Sequence, residues 1–112
     1  MQQTDRIVIQ IDNTTILANG RIIINDVPSV IVDSHTMVPI RVITETLGGR
    51  ANWNADTKEV TLNIDGKELS MAVGKIIDGF NIAPVILNNH IYVPVRYVAE
   101  AAGAKGQILA RL

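Results

Sequence analysis

Apolar residues recur at every second position in two stretches of the chain: Ile7, Ile9 and Ile11 within Arg6–Ile11, and Val60, Leu62 and Ile64 within Glu59–Ile64. A period of two places each set on one face of a strand. Asn19-Gly20 follows the first strand and predicts a two-residue hairpin turn, because both residues tolerate positive φ. After the second strand, Asp65-Gly66 turns the chain into a further strand over residues 67–73, and Asp78-Gly79 marks another reversal. Val30–Val32 and Thr36–Val38 form a predicted strand pair joined by Asp33-Ser34-His35; Val85–Leu87 and Ile91–Val93 form another, joined by Asn88-Asn89-His90.

The period then becomes helical. Val42, Ile43 and Leu47 make one apolar stripe, and Tyr97, Val98, Ala101 and Ala102 make a second. Pro39 and Pro94 suit a first helical turn, where no intrahelical N–H is required. Gly48 and Gly103 stand where left-handed caps are expected. Each predicted helix has about ten residues, too few to be stable without docking on a sheet.

These elements occur twice. Val30-Ile31-Val32-Asp33-Ser34-His35-Thr36-Met37-Val38-Pro39-Ile40-Arg41 aligns with Val85-Ile86-Leu87-Asn88-Asn89-His90-Ile91-Tyr92-Val93-Pro94-Val95-Arg96 at an offset of 55 positions. The same offset carries Arg41 to Arg96, Glu45 to Glu100 and Gly48 to Gly103. Duplication is the economical account, with residues 1–58 as the first unit and 59–112 as the second, the two sharing one compact body. Ala51-Asn52-Trp53-Asn54 and a turn follow the first helix, whereas only a short tail follows the second. The second unit is therefore expected to lack its last strand or to borrow one. Arg6–Ile11 is the expected donor, from within the chain or from a neighbouring copy.

Composition narrows the function. Ten basic and eleven acidic residues are scattered singly, giving a net charge of -1. No stripe tracks phosphates, and nucleic acid is not an expected partner. The absence of cysteine removes disulfides, thiolate metal sites and thiol nucleophiles together. No apolar run reaches the roughly 20 residues of a membrane span, and no leader peptide is read at Met1. The hydrophobic fraction of 47% is mostly Ile and Val, residues suited to pleated surfaces, while aromatics are only 4%.

The string from Val30 to Arg41, followed by Glu45, Gly48-Gly49, Trp53-Asn54 and Thr57-Lys58-Glu59-Val60-Thr61-Leu62, resembles the copper amine oxidase N-terminal-like domain, also called the stalk domain. The resemblance implies an antiparallel sheet wrapped around a helix, in tandem copies, within secreted or cell-surface bacterial proteins. It implies no copper chemistry, which in the oxidases belongs to other domains. The chain departs from the pattern at His35 and His90, where arginine is usual, at Asn54 in place of aspartate, and in the missing final Trp hairpin.

Candidate chemistry is sparse. His35 and His90 are expected as solvated turn residues; as metal ligands each would need two or three further donors, with Asp33 or Asn88 as the nearest. Arg41 with Glu45, and Arg96 with Glu100, have i, i+4 spacing and read as helix-surface ion pairs, with an anion clamp as the alternative. Trp53 could stack on a sugar, but it is expected in the core because large apolar area is usually buried. Tyr92 and Tyr97 could contribute to a surface patch, although so few aromatics argue against a sugar-binding platform. No nucleophile–base constellation can be assembled. The expectation is an α+β, non-catalytic structural or binding module without cofactor, in the cell envelope or outside the cell. Its expected partner is a protein or a cell-wall glycan. A homo-oligomer formed by exchange of the N-terminal strand and a carbohydrate-binding domain are the alternatives.

Overall fold

The computed structural model describes residues 5–64, 66–102 and 106–111. In chain order the elements are β1 (Asp5–Gln10), β2 (Thr15–Ala18), β3 (Arg21–Ile24), β4 (Val30–Val32), β5 (His35–Pro39), α1 (Ile40–Thr46), β6 (Arg50–Asn54), β7 (Glu59–Ile64), β8 (Lys67–Ala72), β9 (Val85–Leu87), β10 (His90–Pro94), α2 (Val95–Ala102) and β11 (Gly106–Arg111). The strands form three sheets, ordered β11-β1-β2-β3, β4-β5-β10-β9 and β6-β7-β8. The arrangement is β-rich, with two short helices, in keeping with the α+β expectation. No helix among the described residues is long and apolar enough to cross a membrane.

Local chemistry explains the turns. Asn19 and Gly20 have φ of 52° and 81°, the left-handed pair that a tight hairpin of this twist requires. Asp33-Ser34 (48° and 66°) and Asn88-Asn89 (49° and 64°) do the same. These are therefore two-residue turns, not the three-residue connections expected. Both histidines consequently lie in strands: His35 opens β5 and His90 opens β10, each half-buried and not solvated in a turn as expected.

The prolines also shift. Pro39 has φ −64° and ψ 121°, so it closes β5 and caps α1 from outside the helix. Pro94 likewise ends β10, immediately before α2. The fixed φ of proline suits the end of a strand as well as a first helical turn, and the extended ψ decides between them. With the prolines outside, the helices have seven and eight residues, shorter than expected. α1 ends as predicted. Gly48, at φ +80°, donates its N–H to Glu45 O at 3.0 Å, and Gly49 donates to Thr44 O at 2.9 Å. This pair of bonds is the Schellman closure. Gly103 lies outside the described residues.

The period-two sets land on the core. Ile7, Ile9, Val60, Leu62 and Ile64 are all buried, and Ile11, just past β1, is half-exposed. One cluster joins them to Ile16, Val38, Ile40, Ile43, Met71, Ile77, Val93 and Val98, so it draws side chains from both sides of residue 58. The central sheet is joined where β5 meets β10 antiparallel, with Val38 directly opposite Val93, Met37 opposite Pro94 and Pro39 opposite Tyr92. Val38 and Val93 are 55 positions apart, so the register centres on two residues that the sequence offset equates.

The chain end overturns one expectation. Residues 106–111 form a full strand, β11, which pairs parallel with β1 from Asp5↔Gly106 to Gln10↔Arg111. The Arg6–Ile11 segment thus closes against the last strand of its own chain, within a sheet expected to be wholly antiparallel. β11 lacks the alternating Val/Ile pattern that marks β7, and the pairing rests on backbone groups, which carry no sequence signature.

Candidate functional site

A cleft of about 1150 Å³ opens on one side of α1. One wall is the inward face of β3 with the residues after it, contributing Arg21, Ile23, Asn25 and Asp26. The floor is the start of α1, from Pro39 to Val42, with Glu45 and Thr46 one turn on. The opposite wall is the end of the third sheet, with Asn52, Trp53 and Val60, and the β9–β10 hairpin closes one end through Ile86, Asn89, His90 and Ile91. Two guanidinium and two carboxylate groups therefore face a space whose apolar surface comes from Ile23, Val42, Trp53 and Ile91. The charges are balanced, so the cleft has no strong preference for an ion of either sign.

Trp53 is the residue that sequence reasoning placed in the core. In β6 it lies directly opposite Val60, on the same face as the buried Val60 and Leu62, yet it is 41% exposed. Trp53 stands near the end of β6, where the core stops and the cleft begins.

Tyr92 moves the opposite way. It is 1% exposed, packs with Met37 and Ile82, and donates its hydroxyl to Pro28 O at 2.7 Å. It is a core residue tying β10 to the loop before β4, not a surface platform. Burial raises the phenol pKa of Tyr92 above its ordinary 10.0, and that of Tyr97 likewise. A raised value in the folded state means stability is complete below pH 10 and declines as pH rises through the folded pKa. Tyr92→Phe is expected to cost about 1 kcal/mol at neutral pH by leaving Pro28 O without its donor. It is also expected to flatten part of the alkaline decline; urea unfolding at pH 7 and pH 10.5 measures both.

The histidines do not meet. β5 and β10 run antiparallel with Val38 opposite Val93, and each histidine opens its own strand, so His35 and His90 lie toward opposite ends of the strand pair. About six residues of strand, roughly 20 Å, separate the two rings' positions along the sheet. No group of three His, Asp, Glu or Cys side chains that could hold a metal ion occurs among the described residues.

The arginine–glutamate pairs differ between the halves. Arg96 Nε lies 3.5 Å from Glu100 Oε1, both well exposed, and the guanidinium stands 5.8 Å above the Phe80 ring. Phe80 also meets Tyr97 edge-on at 5.3 Å. Arg41 and Glu45 make no ion pair with each other and instead line the cleft. Phe80 thus packs against Arg96 and Tyr97 of α2, whereas Arg41 and Val42 of α1, 55 positions earlier, line the cleft. Arg21, Asp26, Asn52 and Ile86 were not singled out in the sequence; nothing in their spacing marks them, since three separate elements bring them together.

The copper amine oxidase N-terminal domain family matches residues 1–62, a span that contains most of the cleft. A Brevibacillus choshinensis protein named "Protease inhibitor" is 36% identical over 77 residues, which is 62% of this chain and 23% of that protein. The chain thus spans about a quarter of the length of the curated relative it matches. No solved structure matches.

Proposed function

The chain belongs to the copper amine oxidase N-terminal domain family, and on that premise we propose that it is a non-catalytic binding module of a secreted or cell-surface bacterial protein. Its residues 1–58 and 59–112 are two copies of one unit related by an approximate two-fold axis through the β5–β10 seam. The Val38–Val93 register supports that relation, as does the core shared across residue 58. The copies have diverged in use: Phe80 packs against α2, and the cleft on α1 takes the ligand.

The observation that carries the binding role is the half-exposed Trp53 in an open cleft edged by Arg41, Glu45, Asn52 and Asn89. An indole face set among amide, carboxylate and guanidinium groups suits a sugar ring, whose C–H faces are apolar and whose hydroxyls need both donors and acceptors. A cell-wall glycan is the ligand this favours. Retention on purified cell wall is expected for the intact chain, with Trp53→Ala binding about tenfold more weakly, a loss of ~1.4 kcal/mol. Absence of retention, or retention indifferent to Trp53, would refute the glycan reading. The relative named "Protease inhibitor" favours a protein partner as the second reading. Slowed turnover by a secreted bacterial protease, relieved by Trp53→Ala, would select it.

A further inference from the structure

β3 is an unprotected sheet edge. It is the outermost strand of its sheet, with β2 on one side only. Ala18 and Arg21 flank the two-residue turn as a pair, so Arg21 and Ile23 direct their backbone N–H and C=O toward β2. Ile22 and Ile24 direct theirs outward. Asn25, whose N–H donates to Thr14 O at 2.9 Å, continues the alternation. The side chains of the same two isoleucines stand on the outer face of the sheet, 72% and 76% exposed, and Ile22 continues a cross-strand row from Val8 and Leu17.

Other edges of the molecule carry features that discourage pairing. β8 begins with the exposed charges Lys67 and Glu68, β6 interleaves Arg50 with Asn52 and Asn54, and β4 and β9 are only three residues long. Between Ile22 and Ile24, β3 has no charge, proline or bulge.

We propose that β3 is a homotypic docking edge, onto which a second copy of the chain adds its own β3 antiparallel, centred on Ile23. The strand is complementary to itself in that direction alone. Reversal about Ile23 sets Ile22 opposite the second copy's Ile24, and the reverse, so the four outward backbone groups of each copy find partners and the isoleucines meet across the seam. Arg21 lies at one end of the run and Asp26 just past the other, both exposed. The antiparallel arrangement brings each Arg21 against Asn25 and Asp26 of the second copy, whereas a parallel one would stack like charges. Continuation of a sheet across two copies is an established mode of strand recognition.

Sedimentation velocity across a concentration series of the intact chain tests the proposal. The chain is expected to show a concentration-dependent dimer, and Ile22→Lys with Ile24→Lys is expected to remain monomeric with an unchanged circular dichroism spectrum. Arg21→Glu alone should weaken the dimer roughly fivefold, and adding Asp26→Arg to it should restore the original affinity. Trp53→Ala should leave the dimer untouched, because Trp53 stands on the cleft wall opposite β3 and takes no part in the seam. A chain that is monomeric up to about 1 mM, or a dimer unaffected by the β3 substitutions, would overturn it.

Discussion

Ile43→Ala is expected to lower the stability of the whole chain by about 2–5 kcal/mol, and Val98→Ala by about 1.5–3 kcal/mol, each as the shift of one cooperative transition. The two positions are 55 residues apart and occupy the same place on α1 and α2, and both are fully buried. Each side chain belongs to the single cluster that also holds Ile7, Ile9, Leu62 and Ile64. Truncation removes apolar contact on both sides of residue 58, so neither half can loosen without the other. A loss of about 3 kcal/mol in a chain of this length lowers the melting temperature by roughly 10 °C. Calorimetry and circular dichroism should agree on one midpoint for each variant. Two resolved transitions, with Ile43→Ala shifting one and Val98→Ala the other, would show that the halves fold as separate bodies.

What the sequence revealed followed the range of the interactions. Hairpins, opening strands and the Gly48 stop are local events, governed by period two and by residues tolerant of positive φ, and they stand where the residues place them. The histidines were misplaced by one position because Asp33-Ser34 and Asn88-Asn89 complete tight turns with non-glycine residues at positive φ, leaving the third residue to the strand. Tyr92 could not be placed from the pattern because β10 is buried on both faces: Tyr92 and Val93 are consecutive and both inaccessible, so alternation gives no sign of which is outside. Trp53 is expected in the core and is instead 41% exposed, since a strand pattern does not say where along the strand the core stops. The cleft itself was illegible. It is assembled from β3, α1, β6 and the β9–β10 hairpin, elements far apart in the chain that no local pattern links.

Removing residues 106–112 is expected to destabilise the remainder by about 4 kcal/mol or more, at the upper end of what any single substitution does. β1 is an interior strand only because β11 lies beside it, paired over six residues. Without β11, the ladder on that side of β1 is lost and the strand carrying the fully buried Ile7 and Ile9 becomes an edge. An edge reading Ile-Val-Ile, with no charge between its apolar residues, is a template for aggregation. Urea unfolding of the shortened chain should therefore show a much lower midpoint and light scattering at concentrations where the intact chain is clear. A synthetic peptide of residues 106–112, added in excess, should recover part of the loss, because the missing contribution is a strand and not a fold of its own. An unchanged midpoint with an unchanged denaturant slope would mean that the parallel closure adds nothing to the core. The two ends of the chain would then be independent of one another, and the sheet would effectively end at β1.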